Sequence, residues 1–146
     1  MQWKIITVGK ISFPWAKAAF ADYIGRLQRV TKVEHIVVKD GHRDQVEAQL
    51  IEASAQTVRI VLDERGEALR SLDFARWIEQ QDLHGQKRAS LLIGGADGHS
   101  DALRKSAHAC WTLSSFTLQH EVALIVAAEQ LYRAYSIIRG EPYHRE

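Results

Sequence analysis

Apolar positions along this chain recur in two rhythms, one of period two and one near 3.6, with glycines and two prolines at the changes. Ile5-Ile6-Thr7-Val8, stopped by Gly9, predicts a first strand. Pro14 suits a helix start, and Trp15, Ala18, Ala19, Tyr23 and Leu27 then recur at helical spacing. Val33 to Lys39 alternates with β-branched residues and ends at the turn signal Asp40-Gly41. Asp44 to Gln56, rich in Ala, Glu, Gln and Leu, predicts a second helix. Thr57 to Asp63 predicts a strand that runs into a loop containing Gly66, and Ser71 is a candidate N-cap for a helix carrying Leu72, Phe74, Ala75, Trp77 and Ile78. Ser90-Leu91-Leu92-Ile93 has the continuous apolar character of a strand covered on both faces, and it ends in Gly94-Gly95. Ser100 is placed to cap a helix of about ten residues. Trp111-Thr112-Leu113-Ser114 predicts a short fifth strand. The last helix runs from about Glu121 to Ile138, and its first half is apolar almost all round, as in a buried helix or one that meets a partner chain.

Five strands alternating with five helices form an α/β pattern around a mostly parallel sheet. Ligands of such sheets sit outside the carboxyl ends of the strands, which directs attention to the exits after Leu62, Ile93 and Leu113. Without an internal repeat or a Pro/Gly/Ser linker, residues 1–146 read as one domain. Composition adds little: 46% hydrophobic and 25% charged residues are ordinary for a globular chain. A net charge of +1 excludes a binder driven by a bulk positive field, though a local basic patch remains open. The single cysteine, Cys110, excludes an intrachain disulfide and gives no sign of an oxidising compartment. The longest apolar run, Val122 to Ala128, is seven residues, whereas a membrane helix needs about 20. With no signal-peptide pattern at the start, the expectation is a soluble cytoplasmic protein that binds no membrane.

Gly94-Gly95-Ala96-Asp97-Gly98 follows a buried strand and precedes a capped helix. Its spacing is neither the dinucleotide fingerprint nor a P-loop, so a ligand-holding turn and a plain tight turn both fit. None of the seven histidines pairs at i, i+4 spacing, which argues against a metal site. Cys110 reads as a small apolar residue, and the tryptophans Trp3, Trp15, Trp77 and Trp111 read mostly as core. Glu129 and Arg133 form an i, i+4 ion pair, solvated or interfacial. Pro142-Tyr143-His144-Arg145-Glu146 places an aromatic, an imidazole and a guanidinium side by side. That chemistry suits an RNA-facing or catalytic tail, while composition by itself favours a frayed one.

Taken in order, several motifs resemble one family: Val8-Gly9-Lys10, Leu62-Asp63 with Gly66, Leu91 through Gly98, Leu113-Ser114 through Thr117-Leu118 and His120, Glu129-Gln130-Leu131-Tyr132-Arg133-Ala134, and Gly140-Glu141-Pro142-Tyr143-His144-Arg145. This looks like the RlmH group of SPOUT methyltransferases, which methylate N3 of a pseudouridine in 23S rRNA. The resemblance implies a single α/β SPOUT domain with a five- to six-stranded, mostly parallel sheet, helices on both faces and a C-terminal trefoil knot. It also implies a homodimer, S-adenosyl-L-methionine (SAM) as methyl donor, 23S rRNA within the ribosome as substrate, and no metal. Carried over by position, the cofactor pocket uses Leu62, Gly95 and the loop Ser114, Ser115, Phe116, Thr117, Leu118, Gln119. Catalysis falls to Tyr143, His144 and Arg145, with His144 preferred over His120 as base, and Arg145 or Arg133 holding phosphate or the target base. Two positions depart from the family pattern: Gln119 stands where a proline is usual, and Leu124 where an arginine is usual. The segment from Asp40 to Asp44 is also shorter than in many relatives. A ribosome-binding or assembly protein that keeps the fold without catalysis, and a flavodoxin-like nucleotide-binding module, are the rival readings.

Overall fold

The computed structural model describes residues 1–95 and 97–145. Its elements alternate as β1 (Gln2–Val8), α1 (Pro14–Leu27), β2 (Lys32–Val38), α2 (Arg43–Ala53), β3 (Val58–Ala68), α3 (Ser71–Leu83), β4 (Arg88–Ile93), α4 (Asp101–Ser106), β5 (Ala109–Thr112) and α5 (His120–Ile138). The strands form one parallel sheet in the order β2-β1-β4-β3-β5.

Neighbouring residues on each central strand point to opposite faces, and both faces are apolar. Ile5, Leu91 and Ile60 lie in one register row and belong to a core that takes Phe20 and Leu27 from α1, Phe74 and Ile78 from α3, and Leu124, Ala128 and Leu131 from α5. The next row, Ile6, Leu92 and Val61, faces the other side and packs with Leu50 of α2 and Leu103 of α4. Each such side chain contributes about 1.5–3 kcal/mol on burial, and a one-residue slip would exchange the two faces of a strand. Trp3 donates its indole N–H to the Tyr135 hydroxyl at 2.8 Å, tying β1 to α5 inside the larger core. Trp3 and Trp111 are buried and Trp77 packs against the same core, but Trp15 is 53% exposed.

Several boundaries differ from the pattern reading. Arg70, not Ser71, is the N-cap of α3, with Asp73 accepting from the Arg70 backbone N–H at 3.2 Å; Ser71 opens the helix and donates to Gln130 Oε1 at 2.6 Å. Ser100 does cap α4 by accepting from Leu103 N at 3.1 Å, but the helix lasts six residues because Ala107 turns to extended backbone. The β5 strand begins at Ala109 and ends at Thr112, leaving Leu113 and Ser114 to the loop that follows.

The largest difference is at Gly66. The expected loop is an interruption within β3: the strand pairs Leu62 with Trp111, bulges outward, and rejoins β5 by pairing Glu67 with the same Trp111. A Cβ on Gly66 would lie 2.5 Å from the Trp111 carbonyl carbon, so the glycine serves a close backbone approach. The residues of α5 are all buried or half-buried, with Leu124, Ala127, Ala128 and Leu131 in the core. Leu124 therefore occupies a packed apolar position. None of the described helices is long and apolar enough to cross a membrane.

Candidate functional site

Parallel strands end together at their carboxyl edge, and three chain segments converge there on a cleft of about 250 Å³. They are the β3 bulge from Leu62 to Arg65, the glycine turn after β4, and the segment from Thr112 to Leu118, with His120 and Ala123 closing one side.

The glycine turn holds its shape by sterics and hydrogen bonds. Gly98 has φ +67°, and its N–H donates to Gly95 O at 3.1 Å. A Cβ on Gly94 would crowd the Gly98 backbone at 3.2 Å. Gly95 is different, because a Cβ there meets only Val8, at an ordinary 3.6 Å. The protein's own packing explains Gly94 and Gly98; at Gly95 the open backbone faces the cleft.

Charged groups brace the cleft from beneath. Arg104 donates to His99 O at 2.5 Å and to Asp63 Oδ2 at 3.4 Å, joining the glycine turn to the β3 bulge. Asp63 Oδ1 accepts the Arg65 N–H at 2.9 Å. Glu47 of α2 accepts from both the N–H and the hydroxyl of Ser100, at 2.8 and 2.6 Å. His99 is buried with Nε2 3.3 Å from Leu92 O, and that burial lowers its pKa despite the nearby Asp63 carboxylate. Burial also pushes the Cys110 thiol upward, with Asp63 adding to the effect, so Cys110 is no ready nucleophile.

On the opposite side the 114–119 loop is shaped by its own polar groups. Thr112 donates to Ser114 O at 2.7 Å, Ser114 Oγ accepts from Phe116 N at 2.9 Å, and Thr117 donates to Glu64 at 2.9 Å. Phe116 is left 81% exposed. Of the expected pocket residues, Leu62, Gly95, Ser114, Phe116, Thr117 and Leu118 line the cleft, whereas Ser115 and Gln119 do not. Gln119 instead caps α5, accepting from Glu121 N and Val122 N at 2.8 and 3.2 Å.

Tyr143 and His144 gather elsewhere, against the α1–α5 face. Glu129 accepts from Arg133 Nη2 and from the Tyr143 hydroxyl, both at 2.9 Å. Arg133 also lies over the Tyr143 ring, 4.9 Å from its centroid, and donates from Nη1 to His144 Nδ1 at 3.1 Å. Tyr143 meets Tyr132 edge-on at 4.8 Å, and its hydroxyl is 3.3 Å from that of Tyr23. Burial, then the hydrogen bonds to Tyr23 and Glu129, push the Tyr143 phenol far above its usual value, while Glu129 raises that of Arg133. The frayed tail that composition favours is thus a packed segment as far as His144; Arg145 is exposed. Glu146 and Ala96 lie outside the described residues. Sequence reasoning placed Glu129 and Arg133 as a pair but missed that Tyr143 joins them and that Tyr23 meets Tyr143, along with the Asp63–Arg104 brace. Among the described residues no group of His, Cys, Asp and Glu could hold a metal ion.

A family profile described as predicted SPOUT methyltransferase matches residues 1–144. The chain belongs to the SPOUT methyltransferase family. A Deinococcus radiodurans protein named ribosomal RNA large subunit methyltransferase H is 38% identical, each chain covered over 99% of its length. A protein of the same name from Methylibium petroleiphilum is 41% identical, with both chains covered in full. Among solved structures, the tRNA (m1G37) methyltransferase of Aquifex aeolicus superposes with a TM-score of 0.57 at 14% identity, covering 100% of this chain and 76% of that one. A Legionella pneumophila chain in complex with bound SAM gives 0.50 at 11% identity, covering 92% of this chain and 66% of that one. These likenesses carry the SPOUT fold.

Proposed function

We propose that this SPOUT methyltransferase transfers the methyl group of SAM to N3 of a pseudouridine in 23S rRNA of the large subunit, on assembled ribosomes, acting as a cytoplasmic homodimer of single-domain, trefoil-knotted chains. The observation that carries the cofactor assignment is the cleft at the carboxyl edge, with Gly95 open where the fold itself demands no glycine. The names of the full-length relatives support the ribosomal substrate.

The cleft suits an adenosyl group: the glycine turn and the stretch Phe116-Thr117-Leu118 line it with polar backbone, while Leu62, Leu118 and Ile93 supply apolar faces. When bound, SAM brings a sulfonium-activated methyl group, so the protein needs no covalent nucleophile. Its residues have to align the acceptor nitrogen in line with the methyl carbon and remove the N3 proton.

Tyr143, His144 and Arg145 are the proposed catalytic group, with His144 as base. Since Arg133 has only donors, His144 Nδ1 serves as acceptor in this arrangement and its lone pair is occupied. RNA that draws Arg133 onto a phosphate frees that lone pair for the N3 proton. Tyr143 and His144 are not among the residues lining the cleft of their own chain, and this supports a site completed by a second protomer. The half-buried apolar positions Val122, Ile125 and Val126 of α5 support a partner helix at the same place.

Incubation with methyl-labelled SAM and ribosomes from cells lacking the modification, followed by nucleoside analysis, tests the reading. Labelled N3-methylpseudouridine is the expected product. Ribosome binding without label transfer would favour the non-catalytic alternative.

A further inference from the structure

We propose that Phe13 and Trp15 form a preorganised stacking platform for an unpaired base of the RNA substrate; the proposal rests on the RNA methyltransferase reading above. The two rings are stacked, with centroids 5.2 Å apart and planes 11° from parallel, yet they are 39% and 53% exposed. Large aromatic rings left in water mark a surface with a use.

Local sequence creates the stack. Pro14 at the first helical position restricts Phe13 to extended backbone, observed at φ −76° and ψ 128°. That geometry brings the ring of the N-cap residue alongside the ring two positions later, at the start of α1. The segment is then pinned from the other end of the chain. Glu121 accepts from Ser12 N at 3.0 Å, Ser12 Oγ at 2.7 Å and Phe13 N at 3.0 Å. Burial opposes its ionisation, but these hydrogen bonds outweigh it and hold the carboxyl below its usual value. This buried clamp of three hydrogen bonds fixes the segment in advance and so removes the ordering cost of a binding surface.

Position and charge select the occupant. His120, next to the clamp, lines both the cofactor cleft and a narrow crevice shared with Lys10 and Ile11, and the clamp residue Glu121, which holds Ser12 and Phe13, lines that crevice too. Lys10 and Lys17, before and after the stack in sequence, are exposed, and no acidic residue occurs from Gly9 to Ala21. An exposed aromatic pair in a basic segment suits a single-stranded nucleotide, whose base stacks while its phosphates meet the lysines. A chain of net charge +1 has to obtain RNA affinity from such placed groups.

The test compares Trp15→Ala, Phe13→Ala and Trp15→Phe with the wild-type chain. Stacking on one aromatic ring is worth roughly five- to a hundredfold in affinity. Trp15→Ala should therefore raise KM for ribosomes about tenfold, with kcat, SAM affinity and sedimentation unchanged, and Trp15→Phe should recover most of the loss. Anisotropy of a fluorescein-labelled single-stranded oligouridine should show the same order of affinities. An unaltered KM and oligouridine affinity in both alanine variants would overturn the platform, as would a Trp15→Ala chain that loses self-association, which would assign the stack to a second copy of the chain. A wild-type chain that transfers no methyl group, but whose oligouridine binding still depends on Trp15, would overturn the methylation reading and leave the platform standing.

Discussion

Tyr143 donates its hydroxyl to Glu129 at 2.9 Å, and the same carboxylate holds the Arg133 guanidinium that stacks on the Tyr143 ring. One acidic side chain of α5 thus fixes Tyr143 of the proposed catalytic group together with Arg133, the cation that donates to His144. Hydrogen bonds to a charged group contribute about 1.5–3 kcal/mol, and solvent access at this half-buried site places these toward the lower end.

Glu129→Gln keeps the shape and loses the charge. It should lower methyl transfer at least tenfold, a loss of about 1.4 kcal/mol or more in transition-state stabilisation, with SAM affinity retained because Glu129 does not line the cleft. Deleting residues 143–146 should abolish rRNA methylation with the same retention of SAM binding. Calorimetric titration with SAM beside a labelled-methyl assay reads both outcomes; a truncated chain that methylates at the normal rate would remove the tail from the catalytic assignment.

At Gly95 a Cβ meets only Val8 at an ordinary distance, so the backbone itself does not require a glycine there. Gly95→Val should keep the thermal midpoint within a few degrees while SAM binding becomes undetectable by titration. Undiminished affinity would place the cofactor elsewhere.

Gly66→Ala should do the opposite damage. Its Cβ would sit 2.5 Å from backbone atoms of Trp111, which cannot rotate away. Overpacking of this kind costs about 1–3 kcal/mol, and here the β3–β5 pairing must open to relieve it. Urea unfolding should show a midpoint lowered accordingly, and SAM affinity should fall with it, because the bulge from Leu62 to Arg65 lines the cleft.

Stability should depend on pH in the mildly acidic range. Burial lowers the imidazole pKa values of His35, which contacts Thr7 Oγ1 at 2.8 Å, and of His99 below their usual 6.5. As pH falls past that value the unfolded chain takes up protons that the folded chain refuses. The unfolded state then binds more protons, so stability is full above about pH 6.5 and declines below it. The urea midpoint should drop between about pH 7.5 and pH 5.5, and a His35→Gln, His99→Gln double variant should flatten that slope. An equal slope in both proteins would assign the effect to other groups.

Apolar rhythm, composition and capping residues together determined the alternation of ten elements, though not all their bounds, and the adjacent pair Leu91-Leu92 announced a strand covered on both faces. Those properties are local, because side-chain direction alternates with every residue of a strand. The resemblance carried by the glycine turn, Glu129-Gln130-Leu131-Tyr132-Arg133 and Tyr143-His144-Arg145 was also legible residue by residue, and it selected the family. The strand order β2-β1-β4-β3-β5 was decided only by tertiary structure, since pairing between distant strands leaves no trace in spacing. Gly66 read as a loop for the same reason: what demands a glycine there is the backbone of Trp111 on another strand. Gln119, expected in the pocket, became a helix cap because its oxygen finds the open N–H groups of α5 first. Likewise Glu129 was visible as the partner of Arg133 one helical turn away, but Tyr23 reaches Tyr143 across 120 positions of sequence. Only the packing of α1 on α5 brings them within hydrogen-bond distance, and with that contact two scattered tyrosines and an ion pair become one site.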